Sequence, residues 1–372
     1  MSVKCQVIMD AVERLAPRYL AESWDNVGLL LGSPAQKISK ILVTLDVTQS
    51  VADQAIEDGI DLIITHHPVI FKAFKNIRTD LPQGQLLASL LKADIAVYAT
   101  HTNLDSAIGG VNDILAERFQ LQDAKPLAVS YTEKLYKLIV FIPKTHLEIV
   151  RKAMTEAGAG HLGNYSHCTF TTPGTGTFMP LEQAKPFIGQ SSTLEFVEEV
   201  RLETIVTEKN SRRIIKEMLK AHPYEEVAYD LILLTNSGDT LGLGRIGKLA
   251  TPMLLHQFVV CVKNSLGIEY ASVAGSKEKM IKKVAVCGGS GASLIHKAAF
   301  AGADVLVTGD VKYHEAQDAL AAGIAVIDAG HFATEQPVVS HVAEYLMACG
   351  KRDKWGVDIA VDSVNQDVLV VY

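Results

Sequence analysis

Apolar residues along this chain come in short blocks separated by polar positions, and the blocks repeat. Residues 41–46 and 284–288 are brief β-branched runs that read as buried strands. Residues 49–58 and 291–301 carry apolar positions at helical spacing and predict helices. Residues 61–65 and 304–308 read as strands, 84–92 and 315–322 as helices, and 95–99 and 324–328 as third strands. Gly59 and Gly302 close the first helix of each series, where a left-handed residue ends the helix and glycine adopts that conformation at least cost. Strands alternating with helices imply parallel pairing with helices on both faces. Ligands of such sheets gather at the carboxyl ends of the strands.

The two series align without a gap. Residues 38–67 (ISKILVTLDVTQSVADQAIEDGIDLIITHH) match 281–310 (IKKVAVCGGSGASLIHKAAFAGADVLVTGD). Ile38/Ile281, Lys40/Lys283, Gly59/Gly302, Asp61/Asp304 and Thr65/Thr308 are among the identical pairs. Further on, Asp94–His101 matches Gly323–His331. The pattern reads as a duplicated α/β core with pseudo-two-fold symmetry. Between its halves the texture changes to strand 135–142, helix 145–157, strands near 164–172 and 194–207, helix 210–221 and strand 225–234, with Pro173–Thr177 as a loop. That β-α-β-β-α-β order is the ferredoxin-like pattern. The expected organisation is therefore 1–128 as the first core half, 129–243 as an inserted α+β domain and 244–372 as the second half. The insert carries His146, His161, His167 and His222, which form no tight ligand pattern.

Composition narrows the function. Of 372 residues, 48% are hydrophobic and 21% charged, which is ample for real cores. The mean hydropathy of +0.18 raises the membrane question, but no apolar run approaches the roughly 18 residues a membrane helix needs. A net charge of −7 argues against a general nucleic-acid partner. Five scattered cysteines without a C-x-x-C pair, behind an N-terminus with no apolar leader, predict reduced, buried thiols in a cytoplasmic protein.

The chemistry sits after the predicted strands. Thr65-His66-His67-Pro68 follows the second strand of the first half, Thr100-His101-Thr-Asn-Leu-Asp105 the third, and Gly330-His331-Phe-Ala-Thr-Glu335 the third strand of the second half. Histidines and carboxylates without cysteine make an N/O metal site, suited to Zn, Mn or Fe. Neighbouring side chains diverge, so His66 and His67 suit two ions better than one. Glu335, one helical turn beyond His331, would bridge them, with Thr334 as N-cap and Pro337 in the first turn. His66, His67, Asp105, His331 and Glu335 are the expected ligands, for two divalent ions. His101 is either a further ligand or an orienter of Asp105.

Asp46 faces the same edge. Gly288-Gly289-Ser290-Gly291 is either a phosphate-holding turn or simply a tight one. Asp310 and His314, after the second strand of the second half, are candidates for substrate binding or proton transfer, or for a structural role. Trp24 reads as a core or interface anchor, with Asp25 and Asn26 supporting the site.

The motifs WDNVGLLLG (24–32), THHPVIF (65–71), HTNLD (101–105), TGDVKYHEA (308–316) and GHFATE (330–335) resemble the Nif-three-like family, often labelled GTP cyclohydrolase I type 2. The likeness covers about 260 residues in both halves, in the family's order. The insert, through His222-Pro-Tyr-Glu-Glu226, resembles the CutA/PII-like module of longer bacterial members. The resemblance implies a dinuclear centre on His66, His67, Asp105, His331 and Glu335 and a toroidal homohexamer. It also implies hydrolysis of GTP to formate and 7,8-dihydroneopterin triphosphate. A metal-dependent phosphoesterase and a non-catalytic metal-responsive scaffold are the alternatives.

Overall fold

The structure is a computed structural model that describes residues 2–371. The chain divides into two compact units, Met1–Tyr131 with Leu241–Tyr372, and Thr132–Thr240.

The first unit holds two sets of parallel strands. In one set Asp358–Val361, Lys40–Thr44, Leu62–Thr65 and Ala96–Ala99 lie side by side and parallel, with Gly28–Leu31 antiparallel beyond Ala96–Ala99. In the other, Met280–Ser290, Val305–Gly309 and Ala325–Asp328 are parallel, with Ser272–Ala274 antiparallel beyond the last. Arg245–Leu254 pairs antiparallel with the Met280–Ser290 strand. One succession thus occurs twice: a helix (Cys5–Leu15 or Leu255–Leu266), an antiparallel edge strand, then three parallel strands with helices between.

Side-chain alternation explains why these strands are apolar throughout. Ile41, Val43, Leu62, Ile64 and Tyr98 face one way, into a core shared with Val284, Val286, Val305, Val307 and Ile327 of the second set. Their neighbours Leu42, Ile63 and Val97 face the other way, onto Val51, Ala55, Leu87 and Leu90 of the helices Gln49–Glu57 and Pro82–Lys92. Ala285, Leu306 and Val326 likewise pack on Ile295, Ala298 and Ala319. Parallel strands buried on both faces need continuous hydrophobic runs. Gly59 and Gly302 have φ of +64° and +77° at their helix ends.

The second unit runs strand, helix Leu147–Glu156, strand Thr169–Phe178, strand Glu195–Thr207, helix Glu208–Ala221, strand. Its two helices pack Val150, Met154, Ile214 and Met218 on Leu138, Val140 and Leu202. Residues 173–177, expected as a loop, are strand, with Pro173 opposite Val200 and Thr177 opposite Phe196. Proline and glycine are tolerated because this is an edge strand, where a missing donor breaks no ladder on its free side. Among the described residues no helix is long and apolar enough to cross a membrane.

Candidate metal centre

Strand ends deliver the histidines. His66 and His67 follow Leu62–Thr65, and their amides donate to Thr44 O and Leu45 O at 3.2 and 2.9 Å. That holds both residues against the neighbouring strand. After Ala96–Ala99 the chain turns at His101 into the short helix Thr102–Ser106, which buries Asp105. After Ala325–Asp328 it turns at Gly330, with φ +87°, into the short helix His331–Glu335. Glu335 therefore sits one turn above His331 and is only 3% exposed.

The Glu335 carboxylate is the hub. One oxygen, Oε2, lies 2.9 Å from His67 Nε2 and 3.0 Å from His331 Nε2. The other, Oε1, lies 3.7 Å from His66 Nε2, which is 3.6 Å from Asp105 Oδ1. His66, His67 and Glu335 each offer a donor atom, all within 4.8 Å of one another, a group able to hold a metal ion. Both ring nitrogens of buried His66 and Oδ1 of buried Asp105 lack any hydrogen-bond partner. Leaving such groups orphaned in the interior is costly, and a cation satisfies the acceptors among them. The donor set therefore fits a metal.

Three imidazoles are held from behind by carboxylates. His67 Nδ1 donates to Asp46 at 2.8 Å, His101 Nδ1 to Asp25 at 2.8 Å and His331 Nδ1 to Asp310 at 2.7 Å. A carboxylate on one ring nitrogen fixes the tautomer and leaves the other nitrogen free for a ligand. Hydrogen bonds from His101 and Thr102 hold the Asp25 carboxyl down at about 2 against its burial, so it stays ionised. Burial pulls the His67 imidazole down, but Asp46 and Glu335 outweigh it and raise it to about 10. Glu335 and Asp310 raise His331 to about 9. Burial pushes Asp105 up, while the surrounding histidines hold Glu335 well below the carboxylate range despite its burial.

These directions set a pH dependence for metal uptake. Without metal, His67 and His331 keep a proton at neutral pH, and a metal must displace it. Affinity is expected to rise with pH, by about tenfold per unit for each proton displaced. Calorimetry in buffers of different ionisation enthalpy measures that proton release. Uptake independent of pH between 6 and 8 would contradict the assignment.

The amides of the glycine-rich turn are largely engaged within the protein. Gly288 N donates to Asn112 Oδ1, Gly289 N to Thr334 Oγ1 and Gly291 N to Thr308 Oγ1, at 3.0, 3.0 and 2.8 Å. Three of the four amides are thus spent inside the protein. The glycines are required by space instead. A Cβ on Gly289, whose φ is +59°, would run into Glu335 Oε1, and one on Gly288 would meet Val111. Thr334 is likewise no N-cap. It lies inside the helix, donates to backbone carbonyls there and receives Gly289. Pro337 does open the next helix, Pro337–Arg352.

A cavity of about 720 Å³ opens over this cluster, lined by His67, His101, Asp105, His331 and Glu335 together with Trp24 and other residues.

A family model described as Duf34/NIF3 (NGG1p interacting factor 3) matches residues 3–368. The chain belongs to the DUF34/NIF3 family. Among its relatives in that family, a "GTP cyclohydrolase 1 type 2 homolog" of Halalkalibacterium halodurans is 48% identical over 97% of both chains. One of Bacillus subtilis is 47% identical over 98% of this chain and 97% of its own. The solved structure of a Bacillus cereus protein related to NIF3 superposes with a TM-score of 0.94 at 45% identity, covering 100% of this chain and 99% of that one.

The remaining expected residues of this NIF3-family chain divide. Asp310 reaches the centre through His331, from a backbone at φ +57°. His314 does not: it is exposed on the helix Tyr313–Ala321 and meets Gln317. The His101 ring is braced by Asp25, while its backbone carbonyl accepts from Asp105 N at 3.1 Å. Trp24 is no core anchor, being 58% exposed at the cavity mouth beside Phe71 and His101. Asn26 supports the site by donating to Ile70 O. Asn112 was missed by sequence reasoning. It donates to Asp105 O while receiving Gly288 N, tying the two half-sites together, and its position on the helix Val111–Arg118 carries no local signal.

Proposed function

We propose that this protein is a dinuclear metal-dependent hydrolase whose ions are held by His66, His67, Asp105, His331 and Glu335. The observation that carries this reading is the division of donors by one carboxylate: His66, with Asp105 beside it, lies toward Glu335 Oε1, and His67 and His331 lie toward Oε2. When bound, a pair of divalent ions of the Zn, Fe or Mn kind supplies a nucleophile from water at neutral pH and neutralises charge on the reacting group. His101, fixed by Asp25 and lining the cavity, moves protons between substrate and solvent. Asp46 and Asp310 hold His67 and His331 in their productive tautomers.

The names of the relatives support opening of the guanine ring of GTP, with formate as product, as the leading reaction. The ring-shaped homohexamer, the duplicated origin of the core and the ferredoxin-like, PII-like character of the insert belong to the same reading. A phosphoesterase is less well supported, because three of the four amides of the glycine turn are already taken. Incubation of metal-loaded protein with GTP should release formate, and Glu335→Ala protein should release none. Formate at the level of that control with Zn, Mn and Fe alike would end the cyclohydrolase reading. Phosphate without formate would favour the phosphoesterase, and metal-dependent partner binding without turnover the scaffold.

A further inference from the structure

Two sequence motifs of the second unit take no part in the metal centre, Pro173-Gly-Thr-Gly-Thr177 and His222-Pro-Tyr-Glu-Glu226. In the structure they meet. A cavity of about 680 Å³ within this unit is lined by Gly176 and Phe178 from the first motif and its strand, by Tyr224, Glu225 and Glu226 from the second, and by Glu199. That volume lies within the size range of small-molecule sites.

Each wall is set by the backbone. The edge strand Thr169–Phe178 places Gly174 opposite Glu199 and Gly176 opposite Val197, so both glycines share a face with the Glu199 side chain. A Cβ on Gly176 would run into the Glu199 carboxylate, so glycine there leaves that group its room over the strand. Tyr224 is held by His222, which is 6% exposed. His222 Nε2 donates to Phe141 O at 3.0 Å and Nδ1 accepts from Tyr224 N at 3.1 Å, an arrangement only a neutral imidazole can make. Tyr224 OH in turn donates to Glu199 Oε1 at 2.9 Å. The loop from Pro180 to Ser192 supplies another wall and carries Phe187. Its neck is closed by Ser192 N donating to Pro180 O at 2.8 Å, and Lys185 N ties it to Glu225 Oε1 at 2.8 Å. The ring centroids of Phe178 and Phe187 lie 5.9 and 6.4 Å from that of Tyr224.

The charge of this cavity has one sign. Glu199, Glu225 and Glu226 line it, and among the described residues no Lys or Arg does. Arg201, two residues beyond Glu199, pairs with Glu203 at 3.2 Å. Lys185 reaches Glu225 through its backbone amide. A metal ion is not the natural occupant: among the described residues, the histidines and carboxylates that converge closely enough to hold one are His66, His67 and Glu335. A cation that is itself partly apolar meets both features of the cavity. Carboxylates neutralise its charge, and aromatic rings within about 6 Å attract it.

We propose that this cavity binds an organic cation, an ammonium carried on an apolar body. The charged end sits between Tyr224 and Glu199, and the body packs on Phe178 and Phe187.

Calorimetry on the full chain tests this with phenethylammonium, phenethyl alcohol and phenylpropionate, which share one body and differ in charge. The ammonium should bind at least about fivefold tighter than the alcohol, and the carboxylate should not bind detectably. Glu199→Gln keeps an acceptor for Tyr224 OH, and should weaken the ammonium by at least about fivefold while leaving the alcohol unchanged. Tyr224→Leu should weaken both. Glu198→Gln is the control: its side chain is 84% exposed and strand alternation puts it on the opposite face, so it should change nothing. Circular dichroism and metal content of the Glu199→Gln protein should match wild type. The proposal is overturned if the ammonium does not bind, if the carboxylate binds as tightly, or if Glu199→Gln and Glu198→Gln act alike. No residue of the metal centre takes part, so formate release or its absence bears only on the hydrolase reading.

Discussion

Glu335→Gln protein is expected to fold and to hold no stoichiometric metal. The substitution keeps the shape of a side chain that is 3% exposed and removes its charge. Both carboxylate oxygens are engaged, Oε2 by His67 and His331 and Oε1 near His66, so one neutral amide cannot serve all three imidazoles. Metal at about a thousand times its dissociation constant should stabilise the wild type by about 4 kcal/mol per site, and the variant should gain almost none of this. Thermal unfolding with and without metal, beside elemental analysis, measures the difference. Gly289→Ala should fail in the same way with the carboxylate intact, because its new Cβ needs the space of Glu335 Oε1 and lies 3.2 Å from His331 Nε2. Wild-type metal content in Glu335→Gln protein would remove Glu335 from the ligand set.

The largest stability loss is expected at Arg245. Its side chain is 3% exposed and pairs with Asp113. It also donates to the carbonyls of Gly242, Gly244 and Ala107 at 2.8, 2.9 and 3.0 Å. Arg245→Met strips a donor from three buried carbonyls and from the Asp113 carboxylate, of which only Ala107 O and Asp113 keep another, from Gly110 N and Gly109 N, at a cost of about 3–5 kcal/mol. With a denaturant slope of about 3 kcal/mol/M, the urea midpoint should fall by about 1 M or more. The double variant with Asp113→Asn should lose less than the sum of the two singles, because the pair shares one interaction. A midpoint within about 0.3 M of wild type would show that the carbonyls find other partners.

Much of this was legible in the sequence for a physical reason. Doubly covered parallel strands demand unbroken apolar blocks, so 41–46, 61–65 and 95–99 announced themselves, and polar residues just beyond such blocks had to lie at strand ends. That placed His66, His67, Asp105, His331 and Glu335 together before any coordinates. Less legible were features that depend on who occupies a donor or a face. The GGSG turn left phosphate holding and plain tight turning both open, because nothing local shows that Asn112, Thr334 and Thr308 take three of its amides. His314 follows the second strand of the second half and was a candidate for substrate binding, yet it projects from an exposed helix surface. Pro173 looked like a loop because its chain neighbours do not reveal an edge strand. The pairing of Asp25 with His101 spans 76 residues and is set by tertiary packing alone.

Those carboxylate–histidine pairs have a consequence for how the centre is assembled. Asp25, Asp46 and Asp310 restrain three imidazoles through bonds that belong to the folded chain itself. The rotational freedom of these rings is given up when the protein folds, so an arriving ion does not bear that cost. The metal-free protein is therefore a finished receptor rather than a chain waiting for metal to shape it. Its ions should exchange while the fold stands, and a chelator should empty the centre and leave both sets of parallel strands intact.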